Sequence, residues 1–208
     1  MYIFTRVGTI DHTKLLDGTV AAVEVATLVT AITGVEVSVF SHRFGEPSNT
    51  ITWSCRAESH AELQAMTDTL MADAKYLEWI GSHTDLFSTA VTDRLASVVS
   101  SSLTAEPKRF YVVLSAAAAP GKLLDAMEFG VRGQQHVTKG TGLSNAFLAS
   151  AYGPFGTVAW LTGADTMAEV DALWAYQSTD VGYQALVKEA APLFSDGTGV
   201  TSLIERLN

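Results

Sequence analysis

Arg6, Glu36, His42 and Arg56 combine charge or titratable chemistry with strand-like surroundings, and each residue type suggests a task. A guanidinium can hold a carboxylate, enolate or phenolate through paired hydrogen bonds, so Arg6 or Arg56 is read as an anchor for an anionic ligand. Histidine titrates near neutrality, and His42 stands beside the turn Arg43-Phe44-Gly45, which makes it the candidate catalytic base. Glu36 falls in the same alternation phase as His42 and either cancels the arginines in a structural charge cluster or binds with them. A self-neutralised cluster and a solvated histidine at a strand end account for the same residues without any ligand.

Other chemistries fail on their own signatures. The histidines His12, His42, His60, His83 and His136 show no HExxH, HxH or His-carboxylate spacing, so no metal site is expected. GxGxxG, GxxxxGK and GxSxG are absent, which removes dinucleotide, P-loop and nucleophile-elbow readings. The lone Cys55 excludes an intrachain disulfide and fits a reducing cytoplasm. Its phase places it under a helix, where a thiol is inert. Asp73-x-x-Tyr76 and Asp180-x-x-Tyr183 read as helix caps with packing tyrosines.

Thirteen basic against 22 acidic residues leave a formal charge of −9, and no run concentrates the basic ones, so nucleic acid is not an expected partner. The most apolar stretch, 19–40, is broken by Glu24, Gly34 and Glu36, and no membrane span is expected. The opening residues Met1-Tyr2-Ile3-Phe4-Thr5-Arg6 lack the pattern of a signal peptide, and a cytoplasmic location is expected.

The elements that must position the candidate residues come from a duplication. Shifted by 107 positions, 53–88 superposes without a gap on 160–195, and the identical pairs include Trp53/Trp160, Glu62/Glu169, Asp73/Asp180, Tyr76/Tyr183 and Phe87/Phe194. At a shift of 108, Lys14-Leu15-Leu16-Asp17 repeats as Lys122-Leu123-Leu124-Asp125 and Gly34 as Gly142. The polar stretch 100–107, ending in Pro107, serves as a linker, which predicts domains 1–104 and 105–208. Each half reads as a strand (2–9 and 110–116), then a helix closing at a glycine (20–33 and 122–139). In the first half a hairpin of strands 35–42 and 50–56 follows. A second helix carries Leu63, Met66, Leu70, Ala74 and Leu77, and closing strands are expected near 95–100 and 202–207.

The fold class is therefore α+β: two tandem ferredoxin-like βαββαβ repeats whose antiparallel sheets pack face to face as an intrachain α+β barrel. The element order, the Thr-Ile-Thr-Trp and Val-Ala-Trp strands and the Asp-x-x-Tyr of each half resemble the dimeric α+β barrel superfamily. That superfamily holds antibiotic-biosynthesis monooxygenases, haem-degrading monooxygenases and chlorite-dismutase-like haem proteins. The resemblance implies no tightly bound cofactor, although haem ligation through His136 stays open. Because the two halves can close a barrel within one chain, a monomer is expected to be a competent folding unit, with a homodimer left open.

Within the first hairpin, Val37, Val39, Ile51, Trp53 and Cys55 share the phase expected to pack on helices. Glu36, Phe40, His42, Thr52 and Arg56 share the other phase, and Phe4 and Arg6 of the first strand are assigned to it as well. In the second half Leu148 and Tyr152 stand there, Tyr152 matching Phe44 but adding a hydroxyl. The expected site is thus His42 as proton mover, Arg6, Glu36 and Arg56 as polar anchors, and Phe4, Phe40, Leu148 and Tyr152 as ligand-binding wall. The functional expectation is a small-molecule-binding barrel acting as a cofactor-independent oxygenase, cyclase, isomerase or decarboxylase on an aromatic or polyketide-like compound. A non-catalytic ligand carrier or structural barrel is the alternative.

Overall fold

The computed structural model describes residues 1–208 except Thr89, Ala90 and Ala105. The strands are β1 (Tyr2–Thr9), β2 (Ser38–Phe44), β3 (Thr50–Ala57), β4 (Thr92–Ser101), β5 (Phe110–Ala117), β6 (Ser144–Tyr152), β7 (Thr157–Ala164) and β8 (Val200–Arg206). The helices are α1 (Leu15–Thr33), α2 (His60–Ala72), α3 (Ala74–Ser82), α4 (Leu123–Thr141), α5 (Met167–Thr179) and α6 (Val181–Ala190), with a short 3-10 turn at Thr84–Leu86. The strands follow the order β1-β3-β2-β8-β5-β7-β6-β4 and close into a barrel.

The chain divides into two compact units, Met1–Leu95 with Arg206–Asn208, and Ala96–Glu205. The division falls inside β4 rather than at the expected 104/105 boundary, of which Ala105 lies outside the described residues. Local hydrogen bonds give the reason. Ser97 donates to the Ala149 carbonyl and Ser100 to Gln134, which tie the second half of β4 to β6 and α4. At the other end, the Asn208 amide donates to the Val37 carbonyl and accepts from the Val39 N–H, which ties the C-terminus to the first unit.

Within the first unit, α1 buries Gly18, Ala21, Ala22, Val25 and Ala26. Small residues here let the helix lie close to the sheet, where the Trp53 indole N–H donates to the Ala22 carbonyl at 2.9 Å. By length and apolar composition α1 would also suffice to cross a membrane, but its buried side belongs to this unit's core. The helix ends at Gly34, whose φ of 73° is a left-handed cap open to glycine at no steric cost. The expected single second helix is two: Asp73 is extended, and its carboxylate accepts the Tyr76 N–H at 2.9 Å, starting α3 anew.

The second unit repeats this plan with different core chemistry. Trp160 donates to the Gly130 carbonyl of α4 as Trp53 does to Ala22, and Asp180 caps α6 through the Tyr183 N–H. Where the first unit has Ala26, Val37 and Cys55, the second has Gln134, Asn145 and Thr162, all buried. These three bond to each other and to Ser100, Ser102 and Thr138, so most of their polar atoms find partners inside the protein.

Candidate functional site

Cross-strand register decides which face each candidate residue occupies, because residues directly opposite in an antiparallel ladder point the same way. Trp53 and Cys55 belong to the core under α1, together with Val39 and Ile51. Thr52 lies opposite Phe40 on β2 and opposite Val7 on β1. Phe40, His42, Thr52 and Arg56 therefore share the sheet face turned away from the helices, as expected from the hairpin alternation.

Arg6 and Phe4 do not join them. The register places Arg6 opposite Trp53 and Phe4 opposite Cys55, which puts both on the helix-packed face. Phe4 packs against the core there. Arg6 meets Asp93 of β4 through two bonds, Nε to Oδ1 at 2.7 Å and a terminal nitrogen to Oδ2 at 2.8 Å. This bidentate partner raises the Arg6 pKa above its ordinary value against the opposing effect of burial. The arginine expected to hold a ligand is thus held by the chain's own carboxylate. Glu36 is also placed differently. The chain runs irregularly from the Gly34 cap to Ser38, so Glu36 precedes β2, stands exposed, and forms no wall with the arginines.

His42 is the candidate that the structure equips most completely. Its Nε2 is 2.9 Å from the Thr52 hydroxyl, a diagonal contact across β2 and β3. Its Nδ1 is buried and has no hydrogen-bond partner among the described residues. Burial lowers the His42 pKa below its usual value, opposed by the charge of Glu46 in the β2–β3 loop. Burial thus disfavours the charged imidazolium, with one nitrogen bonded to Thr52 and the other, Nδ1, buried without a partner among the described residues. Phe40 lies two residues before His42 on the same face and is buried. Arg56 lies opposite Ile3, half-buried and engaged in contacts of its own, four residues along β3 from Thr52. At about 3.3 Å per residue that separation is roughly 13 Å.

Thr52 is the residue that sequence reasoning missed. It was legible as a face-sharing neighbour of His42, but a strand threonine is common enough to pass as structural. In the second unit, Leu148 is buried opposite Ala159 on the face of β6 turned from α4. Tyr152 ends the same strand and is 62% exposed. The second unit also has a surface cleft of about 380 Å³ between the end of α4 and α5, lined by Gly140, Leu143, Glu169 and Tyr176 among others. Glu169 is occupied there as the capping box of α5.

His136 is paired inside the second unit. Its Nε2 lies 2.8 Å from the Asp180 carboxylate, which also caps α6. Gly182 packs so closely that a Cβ there would meet the imidazole Cε1 at 2.6 Å. Among the described residues no group of three or more His, Cys, Asp or Glu side chains gathers in a metal-binding arrangement. Cys55 is buried, and burial pushes its thiol up to about 11, so it carries no thiolate chemistry near neutrality.

The sequence matches no protein-family model and no curated protein. Solved structures do match. A candidate monooxygenase of Fusobacterium nucleatum superposes with a TM-score of 0.73 at 8% identity, over 100% of this chain and 92% of that one. An anthrone oxidase-like protein gives 0.71 at 14% identity, over 100% and 91%. A major regulator of staphylococcal pathogenesis gives 0.62 at 10% identity, over the full length of both. The chain thus has the tandem ferredoxin-like α+β barrel fold, and at such identities the likeness speaks for fold alone, since one fold hosts unrelated functions.

Proposed function

We propose that the chain is a small-molecule enzyme that works without a tightly bound cofactor, and that its chemistry begins with proton transfer from a phenolic or enolic ligand to His42. The observation that carries this reading is the buried Nδ1 of His42, without a partner among the described residues, on an imidazole whose other nitrogen is fixed by Thr52. A buried polar atom without a partner costs about 1–3 kcal/mol. A ligand hydroxyl at Nδ1 would relieve that cost and place its proton within reach of a base.

Removing the proton leaves the electron pair on the ligand oxygen and makes an aromatic enolate or phenolate, an electron-rich species able to react with dioxygen as co-substrate. Phe40 supplies apolar surface beside the base. Arg56, roughly 13 Å from Thr52 along the same face and farther from His42, would meet only the far end of an extended ligand. We take an oxygenase ahead of a cyclase or decarboxylase because the enolate or phenolate so formed needs only dioxygen to react further.

The test uses the full chain with an anthrone and dioxygen, following oxygen uptake and the absorbance of the oxidised product. Turnover should fall by on the order of 10²-fold or more in His42→Gln, the contribution typical of a positioned base, while anthrone binding by calorimetry is retained. Binding without turnover in the unaltered protein would support the ligand-carrier reading instead. Absence of both, or full turnover in His42→Gln, would overturn the proposal.

A further inference from the structure

The proton-transfer reading leaves open which imidazole nitrogen accepts the proton and what decides it. The Thr52 hydroxyl can donate or accept, so the 2.9 Å contact with Nε2 fits either tautomer of His42. The other nitrogen breaks the tie. With Nε2 bare and Thr52 donating, Nδ1–H would be a buried donor with no acceptor; with Nε2–H donating to Thr52, only a lone pair is left unpaired. Orphaned buried N–H groups are the rarer of the two defects in folded proteins.

We infer that Thr52 is a positioning residue that holds His42 as the Nε2–H tautomer and presents the Nδ1 lone pair as the proton acceptor. This inference rests on the proton-transfer reading for its catalytic meaning, but not for its geometry.

Three observations support it. Thr52 lies inside β3 and is laddered to β1 through Val7 and to β2 through Phe40, so its backbone is held from both sides. Its branched Cβ restricts χ1, which makes the hydroxyl a fixed acceptor rather than a wandering one. The pair is also absent from the other repeat, where Ser150 and Ala159 occupy the positions of His42 and Thr52. The fold itself therefore does not require it. Nδ1 is the ring nitrogen next to Cγ, so a donor hydroxyl must approach close to β2, beside Phe40. In the transfer its O–H bond breaks, an N–H bond forms at Nδ1, the electron pair stays on the ligand oxygen, and Nε2–H remains on Thr52 throughout. A charged group bearing on the ring is Glu46 of the β2–β3 loop.

The tautomer can be read without ligand or turnover, by long-range proton–nitrogen correlation of the His42 imidazole in the full ¹⁵N-labelled chain, with His42→Gln identifying the signals. At a pH where the ring is neutral, the unaltered protein should show Nε2 protonated and Nδ1 bare, by roughly tenfold, the preference an ordinary hydrogen bond provides. Thr52→Val should lose that preference and Thr52→Ser should restore it, with kcat on the anthrone following the tautomer and KM staying nearly constant. A protonated Nδ1 in the unaltered protein overturns the inference, even if Thr52→Val fails to fold. So does an unchanged tautomer in a folded Thr52→Val. If the tautomer is as stated but His42→Gln keeps full turnover, the proton-transfer reading fails while the tautomer assignment stands.

Discussion

Gly130→Ala should destabilise the protein even though alanine is the better helix former. Gly130 lies in the interior of α4, where replacing glycine by alanine ordinarily gains about 1 kcal/mol. Here a Cβ would sit 2.0 Å from Cζ, 2.2 Å from Cε2 and 2.5 Å from Cε1 of the Phe147 ring. Phe147 is 0% exposed, and the Trp160 ring stands 5.1 Å away centroid to centroid, so the phenyl has no free space to enter. Relief therefore requires α4 to move off the sheet. That movement strains the 2.9 Å bond from the Trp160 indole to the Gly130 carbonyl, itself worth about 1 kcal/mol. Overpacking of this kind costs about 1–3 kcal/mol, and the lost hydrogen bond brings the penalty to roughly 2–4 kcal/mol. After the propensity gain, a net loss of roughly 1–3 kcal/mol remains. Gly133→Ala on the same helix is the control, since its Cβ would meet only Trp160 Nε1, at an ordinary 3.6 Å. Urea unfolding followed by tryptophan fluorescence should show the midpoint falling for Gly130→Ala and holding or rising for Gly133→Ala. Adding Phe147→Leu to Gly130→Ala should recover part of the loss. Equal midpoints for the two alanine variants would refute the packing argument.

Trp53→Ala removes a buried indole and its bond to the Ala22 carbonyl, and thermal or urea unfolding should register a loss of about 3–5 kcal/mol. The depressed pKa of His42 means that below its unfolded value near 6.5 the unfolded chain takes up a proton that the folded chain does not. The stability of the unaltered protein should therefore decline as pH falls from about 7 towards 5, and unfolding titrations of His42→Gln should lack that component of the decline. Arg6→Leu should leave anthrone binding unchanged in calorimetry, because Arg6 is committed to Asp93, while its effect on stability stays within about 1 kcal/mol for so exposed a pair. Arg56→Leu should leave anthrone binding unchanged and weaken binding of an extended ligand with a carboxylate at its far end, with the melting transition preserved; equal affinity for the extended ligand would remove Arg56 from the site.

The duplication made much of the fold readable, since a strand, helix or cap weakly signalled in one half is repeated in the other. The phase of the hairpin was equally plain, because Val37, Val39, Ile51, Trp53 and Cys55 form an almost uninterrupted apolar set. Strand β1 offered no such contrast. Tyr2, Phe4 and Arg6 alternate with Ile3, Thr5 and Val7, apolar residues fall in both phases, and only pairing with β3 settles which phase meets the helices. The partner of Arg6 was hidden for a related reason: Asp93 lies 87 residues away, and no local pattern joins the two. The sequence shows Asp73 as a helix cap, yet the apolar stripe from Leu63 to Leu77 runs on through it, and the stripe hides that an aspartate capping one helix ends the preceding one. Glu36 shows the limit of alternation, which assigns a phase to residues whether or not the strand has begun.

The central claim is that His42 takes a proton from a bound hydroxyl, and the most direct measurement is the ionisation state of the ligand itself. p-Nitrophenol changes its visible absorption on losing its proton, so its spectrum in the presence of excess protein reports the transfer. At a pH where the free compound is partly ionised, binding to the unaltered protein should raise the yellow phenolate fraction, because the imidazolium and phenolate formed together pair as opposite charges and offset the burial that lowers the His42 pKa, and binding to His42→Gln should not raise it. A bound phenol that stays protonated on the unaltered protein, or one that ionises equally well on His42→Gln, would contradict the account.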